Sequence, residues 1–259
     1  MIDAYNHLDI TASDPLEDLR LQMVSAGIDR ALIVETWAKN NYACLERLTA
    51  SPSPQFRLAL CFRPEESSGL PSRIFREAIV AALRVKTADL RRLGPLAEFL
   101  ETSGKWLLPH AENGIKSLTS ELVTVVKRHP RLHIYLPHMG WPRQDKKDDK
   151  SWEASMLELR QLPFLALGIS AIPYFSREPY PHRDIEPFAA RLIEAFGRRS
   201  VVAGTDYPLI EKSMYAEYLK LAHQWIRPAG GVRKSKFEET LFDEVTNLGA
   251  CKERTNRES

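Results

Sequence analysis

Cysteine is scarce and scattered. Only Cys44, Cys61 and Cys251 occur in 259 residues, an odd count without C-x-x-C spacing. That excludes a disulfide framework and a cysteine-built structural zinc site, and it points to a reducing compartment. Charge of one sign is missing as well: 36 Lys and Arg face 34 Asp and Glu, a formal net charge of +2. So balanced a chain has no electrostatic grip on nucleic acid or on an anionic membrane. No uncharged apolar run reaches the ~18–20 residues of a bilayer span. The opening residues, Met1-Ile2-Asp3-Ala4-Tyr5-Asn6-His7, offer neither a basic start nor the apolar core of a secretory signal. The expectation is a soluble cytoplasmic protein with no nucleic-acid or membrane partner, and a homodimer is the default assembly for such a chain.

What is present is a balance of 44% hydrophobic and 27% charged residues, enough apolar matter for a sizeable core. Short apolar runs at 2–8, 30–35, 57–62, 79–86, 105–110, 132–138, 164–170 and 200–206 read as strands. Amphipathic stretches at 16–26, 90–100, 115–127 and 185–196 read as helices, three of them stopping at or near a glycine (Gly27, Gly104, Gly197). Alternating strands and helices call for a parallel sheet, and eight strand signals in this length fit an α/β fold of the (β/α)8 TIM-barrel type. An open doubly wound sheet fits less well, because the first strand ends in His7-Leu8-Asp9 and not in a glycine-rich phosphate turn. No short repeat and no linker divides the chain. It reads as one domain over residues 1–250 followed by a polar tail, 251–259; the mixed-charge run 145–150 reads as a solvated loop.

In such a barrel the functional face lies where strands end. Those ends carry His7, Glu35, Arg63, Arg84 with Lys86, His110, His138 and Asp206. Three histidines and an aspartate on one rim form a set that can hold a divalent metal such as zinc or manganese. The same set also serves metal-free chemistry, with Asp206 as general base on water and His or Lys stabilising an oxyanion. Arg84 and Lys86 share one face of their strand, so both point inward or both outward. An inward pair needs an anionic partner, structural (Glu35 or Glu112) or supplied by the substrate. Trp37, Trp141, Tyr174, Phe175 and Tyr207 lie just past strand ends, where aromatics line small-molecule pockets. The proline-rich stretch 171–184 is the candidate lid.

Four stretches are familiar. The chain resembles the amidohydrolase superfamily, in the amidohydrolase-related (amidohydrolase 2) branch of small TIM-barrel hydrolases, lactonases and decarboxylases. Ile2-Asp3-Ala4-Tyr5-Asn6-His7 is similar to the opening Ile-Asp-x-His-x-His strand, with Tyr5 in place of the first histidine. Leu136-Pro137-His138-Met139-Gly140-Trp141-Pro142 is similar to the strand-six segment, and Ala203-Gly204-Thr205-Asp206-Tyr207-Pro208 to the strand-eight signature. Asn247-Leu248-Gly249-Ala250 stands where the closing helix is expected.

The resemblance implies two alternatives. One divalent ion, zinc or manganese, sits on His7, His110 and Asp206; or the protein belongs with lactonases that work without metal. In either case Asp206, His138 and His110 are the expected catalytic residues. Arg63, Arg84, Lys86, Tyr5, Trp141 and Tyr174 are the expected substrate-binding set. The expected reaction is hydrolysis of a lactone, cyclic ester or amide of a small metabolite, anionic if the cations serve it. A metal-dependent decarboxylase and a degenerate ligand-binding barrel are the other readings.

Overall fold

A computed structural model describes residues 1–37, 42–64, 73–112, 114–142, 149–226 and 235–243. The tail 251–259, the closing segment 247–250 and most of the charged run 145–150 lie outside these residues. The strands are β1 (Ile2–Asn6), β2 (Arg30–Val34), β3 (Phe56–Cys61), β4 (Val80–Lys86), β5 (Trp106–His110), β6 (His133–Leu136), β7 (Leu165–Ile169) and β8 (Val201–Ala203). They form one parallel sheet in sequence order, β1 to β8, each paired with the next. The helices are α1 (Pro15–Ser25), α2 (Tyr42–Ala50), α3 (Pro95–Ser103), α4 (Ile115–Arg128), α5 (Asp149–Leu159), the short α6 (Ile172–Phe175), α7 (Glu186–Phe196), α8 (Tyr215–Ile226) and the single turn α9 (Lys236–Glu238). The architecture is the (β/α)8 barrel that the alternation of patterns implied.

Strand periodicity divides the apolar residues into two cores. Ala31, Ile33, Leu58, Leu83, Leu107, Ile134 and Leu167 meet helix residues such as Leu19, Leu118 and Leu192 in the layer between barrel and helices. Ala4, Leu32, Val34, Ala59, Ala82, Leu108, Tyr135, Ala166 and Val202 fill the barrel itself, joined by Phe237, Leu241 and Phe242 from the C-terminal turns. Inward positions are mostly small, with Tyr5, Trp106 and Tyr135 as the bulky exceptions. Gly168 makes room for one of them, since a Cβ there would meet the Tyr135 hydroxyl at 2.4 Å.

Several boundaries differ from expectation; β1 ends at Asn6 and not at Leu8, and β8 ends at Ala203 and not at Asp206. The helix expected at 90–100 is broken into a 3-10 segment, Thr87–Arg92, and α3. Gly94 at φ +46 and Pro95 at the first helical position interrupt the hydrogen-bond ladder there. β6 stops at Leu136 and not at His138, because Pro137 cannot donate and His138 turns to φ +55. The loop expected after β7 contains α6. Helices α2, α5 and α8 were not among the expected elements.

β1 carries a bulge: Asp3 pairs with Ala31 but Asn6 with Ile33, three steps against two. The extra residue switches the inward parity from Ile2 and Ala4 to Tyr5 and His7. The β8–β1 seam is closed by single bonds. Thr205 and Asp206 N–H donate to the Tyr5 carbonyl (3.2 and 2.8 Å), and His7 N–H donates to the Tyr207 carbonyl. The fully buried Asp3 carboxylate accepts from Tyr5 N (3.2 Å), Thr205 N (3.0 Å), Thr205 Oγ1 (2.7 Å) and Tyr215 OH (2.9 Å). Gly204 is required at the crossing, where a Cβ would lie 2.9 Å from Tyr5 N.

Burial raises the Asp3 carboxyl to about 6, with its four hydrogen bonds opposing. The unfolded chain titrates near 3.8, so between these values the folded state holds the extra proton. The stability this group contributes therefore falls as pH rises from about 4 to about 6, by roughly 3 kcal/mol. Asp3→Asn keeps an acceptor on the amide side and lets the two hydroxyls reverse. It is expected to fold and to lack this component of the pH slope in urea denaturation. Asp3→Ala strands two buried N–H groups and should cost about 3 kcal/mol or more at pH 7. A denaturation midpoint unchanged in Asp3→Ala would show that the carboxylate does not hold the seam.

Candidate active site

The C-terminal ends of the strands bring His7, His138, Asp206, Arg84, Lys86 and His110 to one rim around Tyr5. The backbone is strained there. His138, Met139, Trp141 and Asp206 all take positive φ, between +54 and +70, a region L-residues with a Cβ rarely adopt. The strain after β6 folds the chain back so that Trp141 packs on both His138 (5.4 Å between ring centroids) and His110 (5.9 Å).

His7 Nδ1 lies 2.6 Å from the Val34 carbonyl, and its Nε2 lies 3.5 Å from Asp206 Oδ1. That oxygen of Asp206 is buried and has no hydrogen-bond partner. Burial by itself would raise the Asp206 carboxyl, but His138, His7 and Arg84 together hold it below the ordinary range, so the carboxylate stays ionised. His138 Nδ1 lies 2.9 Å from Ser170 Oγ. Burial pushes its imidazole down to about 4; Asp206 opposes the shift, while Arg84 and His7 add to it. His110 is pushed down to about 3 by burial, then by Arg84, His138, Lys86 and His7. Its ring stacks near Trp37 (5.1 Å), and its buried Nδ1 has no partner.

Tyr5 is wholly buried, with its ring centroid 4.5 Å from that of His138 and 5.3 Å from that of His7. Burial raises its phenol far above the usual range, with the nearby Arg84 opposing, so it remains a neutral hydroxyl.

The β4 cations point inward. The Arg84 guanidinium lies 4.3 Å from the Trp37 ring centre and 5.9 Å from that of Tyr5, and Lys86 Nζ lies 5.2 Å from Trp37. Neither acidic residue expected to neutralise them does so. The buried Glu35 carboxylate is taken by Arg63 (2.8 and 3.2 Å) and by the Cys61 N–H (2.6 Å), leaving only its backbone carbonyl for Arg84 Nη1 (2.9 Å). Glu112 accepts from the Ala88 N–H (3.4 Å). Arg84 Nε is buried without a partner, and neither Arg84 nor Lys86 has an ion pair among the described residues. Arg63, expected in the substrate-binding set, is thus engaged structurally by Glu35. Tyr174, from the same set, is 80% exposed; its ring meets Phe175 (5.0 Å), which in turn approaches His138 (6.5 Å).

Of the residues expected to hold a metal, His7, His110 and Asp206, His7 Nε2 and Asp206 Oδ1 lie 3.5 Å apart. Among the described residues no three His, Cys, Asp or Glu side chains are placed to hold one ion. A phenol stands where the resemblance puts a further imidazole, so the donor set does not fit a three-ligand centre. Sequence reading did not single out Ser170, although it ends a strand segment like the other rim residues, and it assigned no role to Asp3.

An ionised carboxylate, imidazoles and inward cations meet at the C-terminal mouth of this (β/α)8 barrel. The sequence profile of the amidohydrolase family matches residues 75–232, and the chain belongs to that family, in its amidohydrolase 2 branch. A zinc-bound amidohydrolase from Burkholderia multivorans is similar in structure, with a TM-score of 0.73 at 17% identity over 95% of this chain and 97% of that one. A probable 2-pyrone-4,6-dicarboxylic acid hydrolase from Acinetobacter baumannii, with citric acid bound, gives 0.66 at 14% over 95% and 97%. The 2,6-dihydroxybenzoate decarboxylase from Rhizobium gives 0.59 at 13% over 96% and 98%. At these identities the likeness speaks for the fold. Curated protein sequences gave no match. Among the described residues no helix is long and apolar enough to cross a membrane.

The depressed imidazoles have a direct consequence. His110 and His138 are expected to stay neutral down to about pH 5, so their ring-proton NMR resonances should hold constant from about pH 8 to 5. A midpoint above about 5.5 for either would contradict the packing described around them.

Proposed function

We propose that this enzyme hydrolyses a small carboxylated lactone, or a related cyclic ester or amide, by direct attack of water without a metal. The observation that carries the reading is the buried Arg84, its Nε without a partner, with the half-buried Lys86 near it and neither in an ion pair among the described residues, close to Asp206. Two cations face the Asp206 carboxylate, and a buried guanidinium short of partners calls for an anion. A substrate carboxylate on Arg84 Nε and Lys86 Nζ supplies it. The structural neighbour described as a pyrone-dicarboxylate hydrolase holds citric acid, so both its named substrate and its bound molecule are polycarboxylates, which supports this choice.

The chemistry follows from positions. A water beside Asp206 Oδ1 donates a hydrogen to that carboxylate and aims its oxygen lone pair at the carbonyl carbon. As the carbon–oxygen bond forms, the proton passes to Asp206. The carbonyl oxygen gains charge, stabilised by His138 and by Lys86. Collapse breaks the bond to the ring oxygen, which takes the proton back from Asp206, leaving the open hydroxy acid and a regenerated carboxylate.

Asp206→Asn is expected to lower kcat on a carboxylated lactone by about 10²–10⁴-fold with an unchanged circular-dichroism spectrum. Undiminished turnover would refute the base. Arg84→Met, which keeps the stacking length on Trp37, is expected to raise KM by about 10–100-fold for a carboxylated substrate and far less for its neutral ester. Equal effects on both would remove the carboxylate from this site. Carbon dioxide release in the same assays would favour the decarboxylase alternative.

A further inference from the structure

The rings of His7 and His138 both pack on Tyr5, and their Nδ1 atoms face chemically different partners. The partner of His7 is the Val34 carbonyl, at 2.6 Å. A carbonyl only accepts, so His7 carries a proton on Nδ1, while its Nε2 faces Asp206 Oδ1 at 3.5 Å. The partner of His138 is a hydroxyl, Ser170 Oγ, which either donates or accepts.

The rest of the Ser170 environment removes that freedom. The Ser170 hydroxyl is wholly buried and already accepts the His138 backbone N–H at 3.1 Å. It has one hydrogen to place, and among the described residues the acceptor within reach is His138 Nδ1 at 2.9 Å. With a proton on Nδ1, two N–H groups would converge on one oxygen and the hydroxyl hydrogen would be sealed in without an acceptor. That penalty biases the tautomer ratio by about tenfold or more. The arrangement that satisfies every group is Oγ–H donating to Nδ1, which leaves the imidazole proton on Nε2, on the side of the ring away from Ser170.

We infer that Ser170 is a positioning residue that locks His138 as the Nε2–H tautomer, making His138 a hydrogen-bond donor to the substrate's developing oxyanion. An Nε2–H imidazole offers the mouth a proton and no lone pair, so His138 neither takes a proton from water nor ligates a cation through that atom. The oxyanion role rests on the reading of the site as a hydrolase; the tautomer assignment does not.

The test is a long-range proton–nitrogen correlation spectrum of histidine-labelled protein at about pH 7, with His7 and His138 assigned by single His→Gln variants. The wild type is expected to show His138 as Nε2–H and His7 as Nδ1–H. In Ser170→Ala, His138 should lose its preference while His7 keeps its own. Wild-type His138 carrying its proton on Nδ1 or on both nitrogens would overturn the inference, and so would an unchanged His138 pattern in Ser170→Ala. If that variant does not fold, the wild-type spectrum alone decides. In kinetics, Ser170→Ala is expected to lower kcat about tenfold or more with KM little changed. A shifted tautomer with unchanged kcat would leave the lock standing and strike out the oxyanion role.

Discussion

β8 ends at Ala203, three residues short of Asp206, so the barrel cannot be closed at its mouth by continued strand pairing. The seam depends on one carbonyl and one carboxylate. The Tyr5 carbonyl takes the N–H groups of Thr205 and Asp206, and the Asp3 carboxylate takes four donors from β1, the β8 loop and Tyr215. Everything at the rim is referred to that stitch. It fixes Asp206 at its positive φ, sets Tyr5 and His7 on the inward side of the β1 bulge, and brings His7 Nε2 within 3.5 Å of the carboxylate. A buried carboxyl is costly, and its four hydrogen bonds offset only part of that cost, which is why it sits near 6.

The second organising feature is an unequal distribution of charge around Glu35. Two guanidinium groups compete for one buried acid. Arg63 takes the carboxylate in a bidentate pair, and Arg84 is left with a backbone carbonyl and the face of Trp37. The first pair is structural and closed. The second cation, with Lys86 next to it, remains open to an anion, and its field helps keep His110 and His138 neutral and Asp206 ionised. Burial and these cations together thus set the protonation of His110 and His138, and the cations help keep Asp206 ionised.

Much of this was legible in the sequence because it rests on period and position. Alternating apolar runs give the barrel, and strand ends give the rim, so His7, Arg84, Lys86, His110, His138 and Asp206 are found without coordinates. What was not legible depends on pairing across the fold. Nothing in the sequence tells which arginine wins Glu35, so Arg63 and Arg84 look equivalent until β3 is placed beside β4. The β1 bulge leaves no mark in a strand so short, and the inward direction of Tyr5 follows from the bulge. Ser170 is one serine among many until its hydroxyl is seen between the two nitrogens of His138. The metal-ligand set was likewise read from residue types at strand ends, and among the described residues no three His, Cys, Asp or Glu side chains are placed to hold one ion.

Under the function proposed above, Asp206 with the histidines and cations around it hydrolyses its substrate without an ion. The most direct measurement is turnover of a carboxylated lactone by protein treated with chelator and then analysed for zinc and manganese by elemental mass spectrometry. Metal-free protein is expected to turn over as fast as the untreated preparation. Activity that vanishes with the metal and returns with added zinc or manganese would contradict it.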